Sequence, residues 1–453
     1  MNNIKEAFER FTKSYVYFFL MAFLTLTCWY FDMPVYGMLL ASIFLFIASV
    51  FSDNLIQIPA VLSMFYMSGR CYEEAKLSLW LVIPLVFIAV LSLIIIVFRF
   101  KDRFSVKKIL KNKLIYGYLI MFAVMMISVI NSEYKTDTLG NSLHYFSSII
   151  VFVFAVSFID LGKEEDRNRM LHSFIIICVM IFFQYVIFFF ENYDGSNFIE
   201  YIRSKNNLLI GWSHPNHCLV LFNMTVAISL YLFINNKKVF NRIIYVAFML
   251  LTIGSALLIN SRGGQIGFGV ILLSYIVYYC IRSEKTRKPF IIISISLVVL
   301  IAAGIIVGTQ IPFIKEKLKA FDIESFTSDR YSLWQLGMDK FKENLPIGYG
   351  VGTSQHYIFD VLGRTEANYH SYVVQITQAG ILGICAFVIL FLLLVYNLKE
   401  LDDFNIMLSS MIIMFIIWGL IDTLFFNMRI EPFFVFLMAF KKQKIEELEL
   451  VSA

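Results

Sequence analysis

Arg262 lies in the stretch "LLINSRGGQIGF", Leu257 to Phe268, between two long apolar runs. A full positive charge at such a junction is costly unless something answers it. Ser261, Gly263 and Gly264 bracket it. Two glycines permit a tight reversal and a close approach of backbone to a bound group. Unpaired N–H groups at the start of the second run would face the same way as the guanidinium, and a helix N-terminus favours anions. Arginine grips phosphate through two parallel hydrogen bonds. Ser261, Arg262, Gly263 and Gly264 therefore offer an anion site, and phosphate fits it best. The competing reading is an arginine that snorkels to lipid headgroups.

Three other stretches carry polar chemistry. In "EANYHSYVVQITQAGILG", Glu366 to Gly383, His370 follows Tyr369 at the mouth of an apolar run that holds Gln375, Gln378 and Gly380. Histidine titrates near neutrality and can take a proton from a hydroxyl. A helix-terminal histidine bonded to backbone is the plain alternative. In "GWSHPNHCLV", His214 and His217 stand three apart around Asn216, and Pro215 suits a first helical turn. The two histidines could share a metal. No Asp, Glu or Cys ligand is near in sequence, so helix capping or hydrogen bonding to substrate is preferred. In "SDRYSLWQLGMDKFKENLPIGYGVG", Ser328 to Gly352, a helical pattern opens at Asp329 and Arg330 and carries Leu333, Trp334, Leu336 and Phe341 as far as Pro346. Gly348, Gly350 and Gly352 follow in alternation. They imply positive-φ turns or a surface that another chain must approach. With no strand before them and no G-K-S/T after, they are not a nucleotide phosphate loop. His144 and His172, near the ends of their runs, read as structural, and Asp422, Arg429 and Glu431 as an ion-paired group near the outer ends of the last two runs.

The elements that must position these residues are membrane spans. The chain has 453 residues, 59% hydrophobic and 16% charged, with a mean hydropathy of +0.74. Soluble domains run at about 45–50% apolar and about 25% charged. A span needs roughly 20 mostly apolar residues, and this sequence holds many such runs. The expected cores are 14–31, 35–51, 54–68, 78–98, 114–130, 142–160, 170–190, 213–234, 243–260, 264–281, 290–308, 371–396, 405–426 and 430–440. The third and last are short and read as re-entrant or tilted. The fold class is an all-α integral membrane protein of about 12–14 transmembrane helices, with residues 1–453 as one polytopic domain. The run from Ser14 lacks a small-residue cleavage site after it and reads as a retained first span. The six cysteines are isolated and mostly inside spans, so they read as small buried apolar residues.

Charge sets the sidedness. With the N-terminus in the cytoplasm, the inside segments hold 24 of the 38 Lys and Arg residues, and half of the rest fall in one long outer loop. Long loops weigh least in the positive-inside rule. Both termini are expected in the cytoplasm, with a shorter outer loop at 191–213 and a long one at 309–370. The net charge of +5 follows this topology and does not argue for nucleic acid. Within the long loop, Ile311, Phe313, Ile314, Leu318 and Phe321 recur at helical spacing among lysines. That suggests either an amphipathic helix on the membrane surface or a helix packed on the loop. On this topology Arg262, Arg330 and His370 share the outer side.

Five motifs then stand in order: "SRGG" (261–264), "RYSLW" (330–334), "PIGYGVG" (346–352), "YHSYVVQ" (369–375) and "GILG" (380–383). Together they resemble the O-antigen ligase and Wzy polymerase superfamily of bacterial envelope glycan enzymes, over roughly 205–396. The first half agrees only in hydropathy. The resemblance implies a GT-C-like helical bundle in the bacterial inner membrane, with its active site facing outward. It implies a glycosyltransferase whose donor and acceptor are oligosaccharides on undecaprenyl diphosphate, working without nucleotide sugar, metal or other cofactor. It assigns catalysis to Arg262, Arg330 and His370. Trp334, Tyr369, His214, Asn216, His217 and Gly348, Gly350 and Gly352 are candidate substrate contacts. Membrane lipid and a chain-length regulator are the further expected partners. Ser371 stands where asparagine is usual, and Gln378 where glutamate is common. Polymerase is favoured over ligation to lipid A core, on the Phe, Ile, Lys and Asn usage and the two sizeable outer segments. A lipid-linked glycan flippase is the third reading. Against it stand the absence of an internal repeat and of charges lining mid-span positions.

Overall fold

A computed structural model describes residues 2–70, 79–193, 195, 201, 208–259, 261–282, 330–363, 371–396, 402–420, 422, 424, 427 and 429–440. The expected span at 290–308, the expected amphipathic stretch from Ile311, and Tyr369 and His370 lie outside the described residues. All regular structure among the described residues is helical. The apolar runs become α1 (Asn2–Thr12), α2 (Tyr15–Tyr30), α3 (Pro34–Phe51), α4 (Ile58–Met67), α5 (Leu79–Arg99), α6 (Val106–Lys111), α7 (Leu114–Ser128), α8 (Lys135–Phe158) and α9 (Glu164–Asn192). Then come α10 (Pro215–Asn235), α11 (Val239–Leu258), α12 (Arg262–Arg282), α13 (Arg330–Glu343), α14 (Ser354–Leu362), α15 (Tyr372–Thr377), α16 (Gly380–Tyr396), α17 (Asp403–Gly419) and α18 (Glu431–Met438).

Six of these are individually long and apolar enough to cross a bilayer, and eight if the bent pairs α1–α2 and α5–α6 each count as a span. The chain is an all-α, multi-pass integral membrane protein. The expected 12–14 spans also drew on four shorter apolar helices, α4, α7, α16 and α17, on the short α18, and on the run at 290–308. Helices α8 and α9 begin six or seven residues before their apolar cores. Their polar first turns are helical because helices do not end where hydropathy falls. In α9 the first turn carries Glu164, Glu165 and Asp166, which suit the positive end of the helix dipole.

The chain forms two compact units. Unit 1 comprises Met1–Ile115, Ser147–Gln265 and Asn427–Ala453, and unit 2 comprises Tyr116–Phe146 and Ile266–Phe426. In unit 1, α3 packs on α5 and α4, α2 on α9 and α4, and α10 on α11 and α9. Helix α4 has 10 residues. At about 1.5 Å per residue it reaches about half of the roughly 30 Å hydrocarbon core. Helix α18 has 8 residues and is buried all round, so protein rather than lipid surrounds it.

Buried polar side chains tie unit 1 together, because backbone groups in an apolar medium need partners from the protein. Gln184 is fully buried in α9. Its Nε2 donates to the carbonyl of Met67 at 3.1 Å, and its Oε1 accepts from Trp212 Nε1 at 2.9 Å. One side chain thus fixes the end of α4 and the entry to α10. Gln184→Leu removes both bonds while keeping the volume. It is expected to destabilise the protein by about 1–3 kcal/mol, read as a lower midpoint of thermal unfolding in detergent.

Unit 2 departs from expectation at 371–396. That run is not one span but two helices, α15 and α16, with a break at Gln378 to Gly380. The carbonyl of Gln378 accepts from the amides of Tyr349 and Gly350, at 3.0 and 3.1 Å. Ile381 N donates to the Leu345 carbonyl at 2.8 Å. Gly380 adopts φ +68°. The segment Leu345 to Gly352 therefore supplies the hydrogen bonds that a continuous helix would make for itself. Irregular backbone among apolar segments is tolerated where protein covers it in this way.

Candidate functional site

In unit 1, Ser261 is buried and caps α12. Its Oγ accepts from Gly264 N at 3.2 Å, and its carbonyl from Gln265 N at 3.1 Å. This is the usual way a serine satisfies the first donors of a helix. Arg262 is the first residue of α12, and it is exposed. The guanidinium thus belongs to the turn whose N–H groups carry the positive end of the helix dipole. Gly263 and Gly264 are buried. A side chain at Gly264 would press on Leu219 of α10, and the Gly264 carbonyl accepts from Asn223 Nδ2 at 2.9 Å. The close approach expected at this glycine is made by α10.

His214 caps α10. Its Nδ1 accepts from Asn216 N at 3.2 Å, and Pro215 takes the first helical position. His217 faces His214 with ring centroids 5.9 Å apart, and its Nδ1 lies 2.8 Å from Asn427 Nδ2. Capping, one of the two expected roles, is the one seen at His214. No third His, Cys, Asp or Glu side chain joins the pair among the described residues. His172 bridges Asn168 and Tyr245 at 2.6 and 2.8 Å, as a structural histidine does.

In unit 2, Arg330 opens α13, which packs on α14 and α15. Leu333 of α13 enters a cluster with Tyr349, Tyr357, Ile358 and Val374, and Trp334 packs against it. Among the described residues the buried Trp334 Nε1 has no hydrogen-bond partner. Gly348, Gly350 and Gly352 adopt φ of +78°, +108° and +85°. A Cβ at each would overlap, respectively, the Gln378 carbonyl, the hydroxyls of Ser132 and Thr138, and the side chain of Asn141. The chain that approaches these glycines is the protein's own. Gln378, standing where glutamate was usual in the resemblance, accepts from Gly352 N through Oε1 at 2.6 Å. The backbone of the glycine segment and the helix break thus form one hydrogen-bonded joint. Residues 247–388, which hold the α12 turn, α13 and this joint, match the O-antigen ligase family model. This segment is similar to the O-antigen ligase family. All five sequence motifs, from Ser261 to Gly383, fall inside it. Comparison with curated proteins finds no match.

Two groups escaped the sequence reading. Within the matched segment, His356 of α14 reaches out of the match to Asp137 in the first turn of α8. His356 Nε2 lies 2.6 Å from Asp137 Oδ2, and Tyr134 stacks on the imidazole at 3.8 Å. The partners are 219 residues apart, so no spacing rule links them. In unit 1, Arg70 pairs with Glu191 and lies 4.8 Å over the Trp29 ring. Asp32 Oδ1 accepts from Arg70 N at 2.7 Å. "SGR" after an apolar run carried no signal for this. The backbone at Gly211, φ +90°, passes so close to the Arg70 carbonyl that any side chain there would collide with it.

Proposed function

We propose that this protein is a polysaccharide polymerase that moves a growing glycan from undecaprenyl diphosphate to the next lipid-linked repeat unit. The match of residues 247–388 to the O-antigen ligase family model supports a polysaccharide-related ligase or polymerase role. The observation that carries the finer reading is the placement of exposed Arg262 at the first position of α12 inside the family segment. There a guanidinium and helix N–H groups act together on an anion. Both termini lie in the cytoplasm, and the reaction takes place at the outer leaflet of the inner membrane.

In the transfer, an acceptor hydroxyl oxygen attacks the donor's anomeric carbon. The bond from that carbon to the phosphate oxygen breaks, and the diphosphate leaves with the electron pair. His370 receives the hydroxyl proton or orients the hydroxyl. Arg262 and Arg330 bind the negative charge that grows on the leaving diphosphate. A single displacement inverts the anomeric centre. Trp334 contributes its unpartnered Nε1 to the glycan or the lipid diphosphate.

The family description itself favours a second reading, ligation of finished glycan to a lipid acceptor. Deleting the gene separates the two. Loss of polymerisation is expected to leave single repeat units where the wild type carries long chains. Full-length polymer stalled on its lipid carrier would assign ligation instead, and unchanged surface glycan would contradict both.

A further inference from the structure

Asp137 and His356 stand on a joint built with unusual care for two half-exposed side chains. A half-exposed hydrogen-bonded pair adds about 1 kcal/mol or less to stability, so stability alone gives little reason for it. The joint itself is heavily determined. Ser132 Oγ meets Thr138 Oγ1 at 2.8 Å, and both abut Gly350. Asn141 Nδ2 donates to the Asp137 carbonyl at 2.8 Å, and the same amide abuts Gly352. Asn131 Nδ2 donates to the Gly348 carbonyl at 2.8 Å, and Thr353 Oγ1 to the Gly350 carbonyl at 2.7 Å. Three positive-φ glycines are thus pinned against the start of α8, and α14 with His356 starts immediately after them.

The imidazole is locked in its plane. Tyr134 covers one face, with rings 10° from parallel, and Tyr357 buttresses Tyr134 edge-on at 5.7 Å. Tyr349 supports Tyr357 edge-on at 5.2 Å, and Lys340 Nζ lies 5.1 Å over the Tyr357 ring. With Nε2–H donating to the Asp137 carboxylate, the neutral ring keeps its Nδ1 lone pair as an acceptor. Among the described residues no hydrogen bond reaches Nδ1. The side chains of His356 and Asp137 are 33% and 38% exposed, so a ligand can reach the pair.

We propose that Asp137 and His356 form a sugar-hydroxyl subsite, in which His356 Nδ1 accepts a hydrogen bond from the lipid-linked acceptor glycan. The ligand class follows from the chemistry: a neutral hydroxyl donor suits a carboxylate-bound imidazole, whereas a phosphate would meet the Asp137 charge. Asp137 acts as a positioning residue for the ring. The inference rests on the glycan-transfer reading above.

The test uses purified full-length protein in nanodiscs, supplied with lipid-linked repeat units extracted from host membranes. His356→Ala and the better space-filling His356→Gln are expected to raise KM for the lipid-linked glycan about tenfold, the size expected for one lost hydrogen bond to a buried or part-buried partner. Asp137→Asn should raise it less, because the ring keeps its stack on Tyr134 but loses its fixed tautomer. Thermal unfolding midpoints of all three should stay near the wild-type value. Wild-type KM in both His356 variants overturns the subsite, and so does activity lost only in proportion to folded protein. Failure of the glycan-transfer reading is distinct: there the wild type turns over nothing, or His370→Ala turns over at the wild-type rate.

Discussion

Arg262→Lys protein is expected to accumulate at the wild-type level and to form product at about a hundredth of the wild-type rate or less, the loss typical of one missing charge-stabilising donor. The substitution keeps the unit charge. It removes the planar fork suited to two phosphate oxygens at once, and it replaces a weakly hydrated cation by a strongly hydrated one. Little stability is at stake, because Arg262 is exposed and the cap of α12 belongs to Ser261. Ser261→Ala is the informative contrast. It deletes the hydroxyl that accepts from Gly264 N and should cost about 1 kcal/mol of stability, with a far smaller loss of rate than Arg262→Lys. Product assays on equal amounts of folded protein check both. A wild-type rate for Arg262→Lys would remove the arginine from the chemistry.

Gly348→Ala is expected to destabilise the protein by about 4 kcal/mol or more, among the largest effects of single substitutions. Gly348 sits at φ +78°, and a Cβ there would overlap the Gln378 carbonyl and crowd the Gly380 amide. These are backbone atoms at the break between α15 and α16, so no flexible side chain can yield. Gly363→Ala tests the cause. Gly363 also has positive φ, +63°, as the left-handed cap of α14, but its Cβ would meet open space. It should lose only the conformational cost, about 1–2 kcal/mol. Thermal unfolding in detergent compares the two, and equal losses would show that backbone conformation, not the packed joint, dominates at Gly348.

Much of the architecture was legible because membrane solvation writes itself into composition. An apolar run must be helical where water cannot satisfy the backbone, and α2, α3, α5, α10 and α12 fall close to their expected cores. Pro215 marked the first turn of α10 for a local reason, its missing N–H. The break between α15 and α16 was not legible in this way. Residues 371–396 are apolar enough for one span, and the helix stops at Gln378 because amides from Tyr349 and Gly350 take its carbonyl. That is a tertiary event, and hydropathy does not register it. The alternating glycines did announce a close approach, but pattern alone left open what approaches. It proved to be Gln378, Ser132, Thr138 and Asn141. Asp137 and His356 were invisible for a related reason: each is an ordinary polar residue until folding brings it to the other.

The activity proposed for this membrane protein is transfer of glycan from a lipid diphosphate. Purified protein in liposomes, given undecaprenyl-diphosphate-linked repeat units, tests it most directly. A ladder of longer lipid-linked glycans with release of undecaprenyl diphosphate is expected from the wild type and not from His370→Ala. Repeat units that cross the vesicle membrane at unchanged length, with no carrier released, would contradict it.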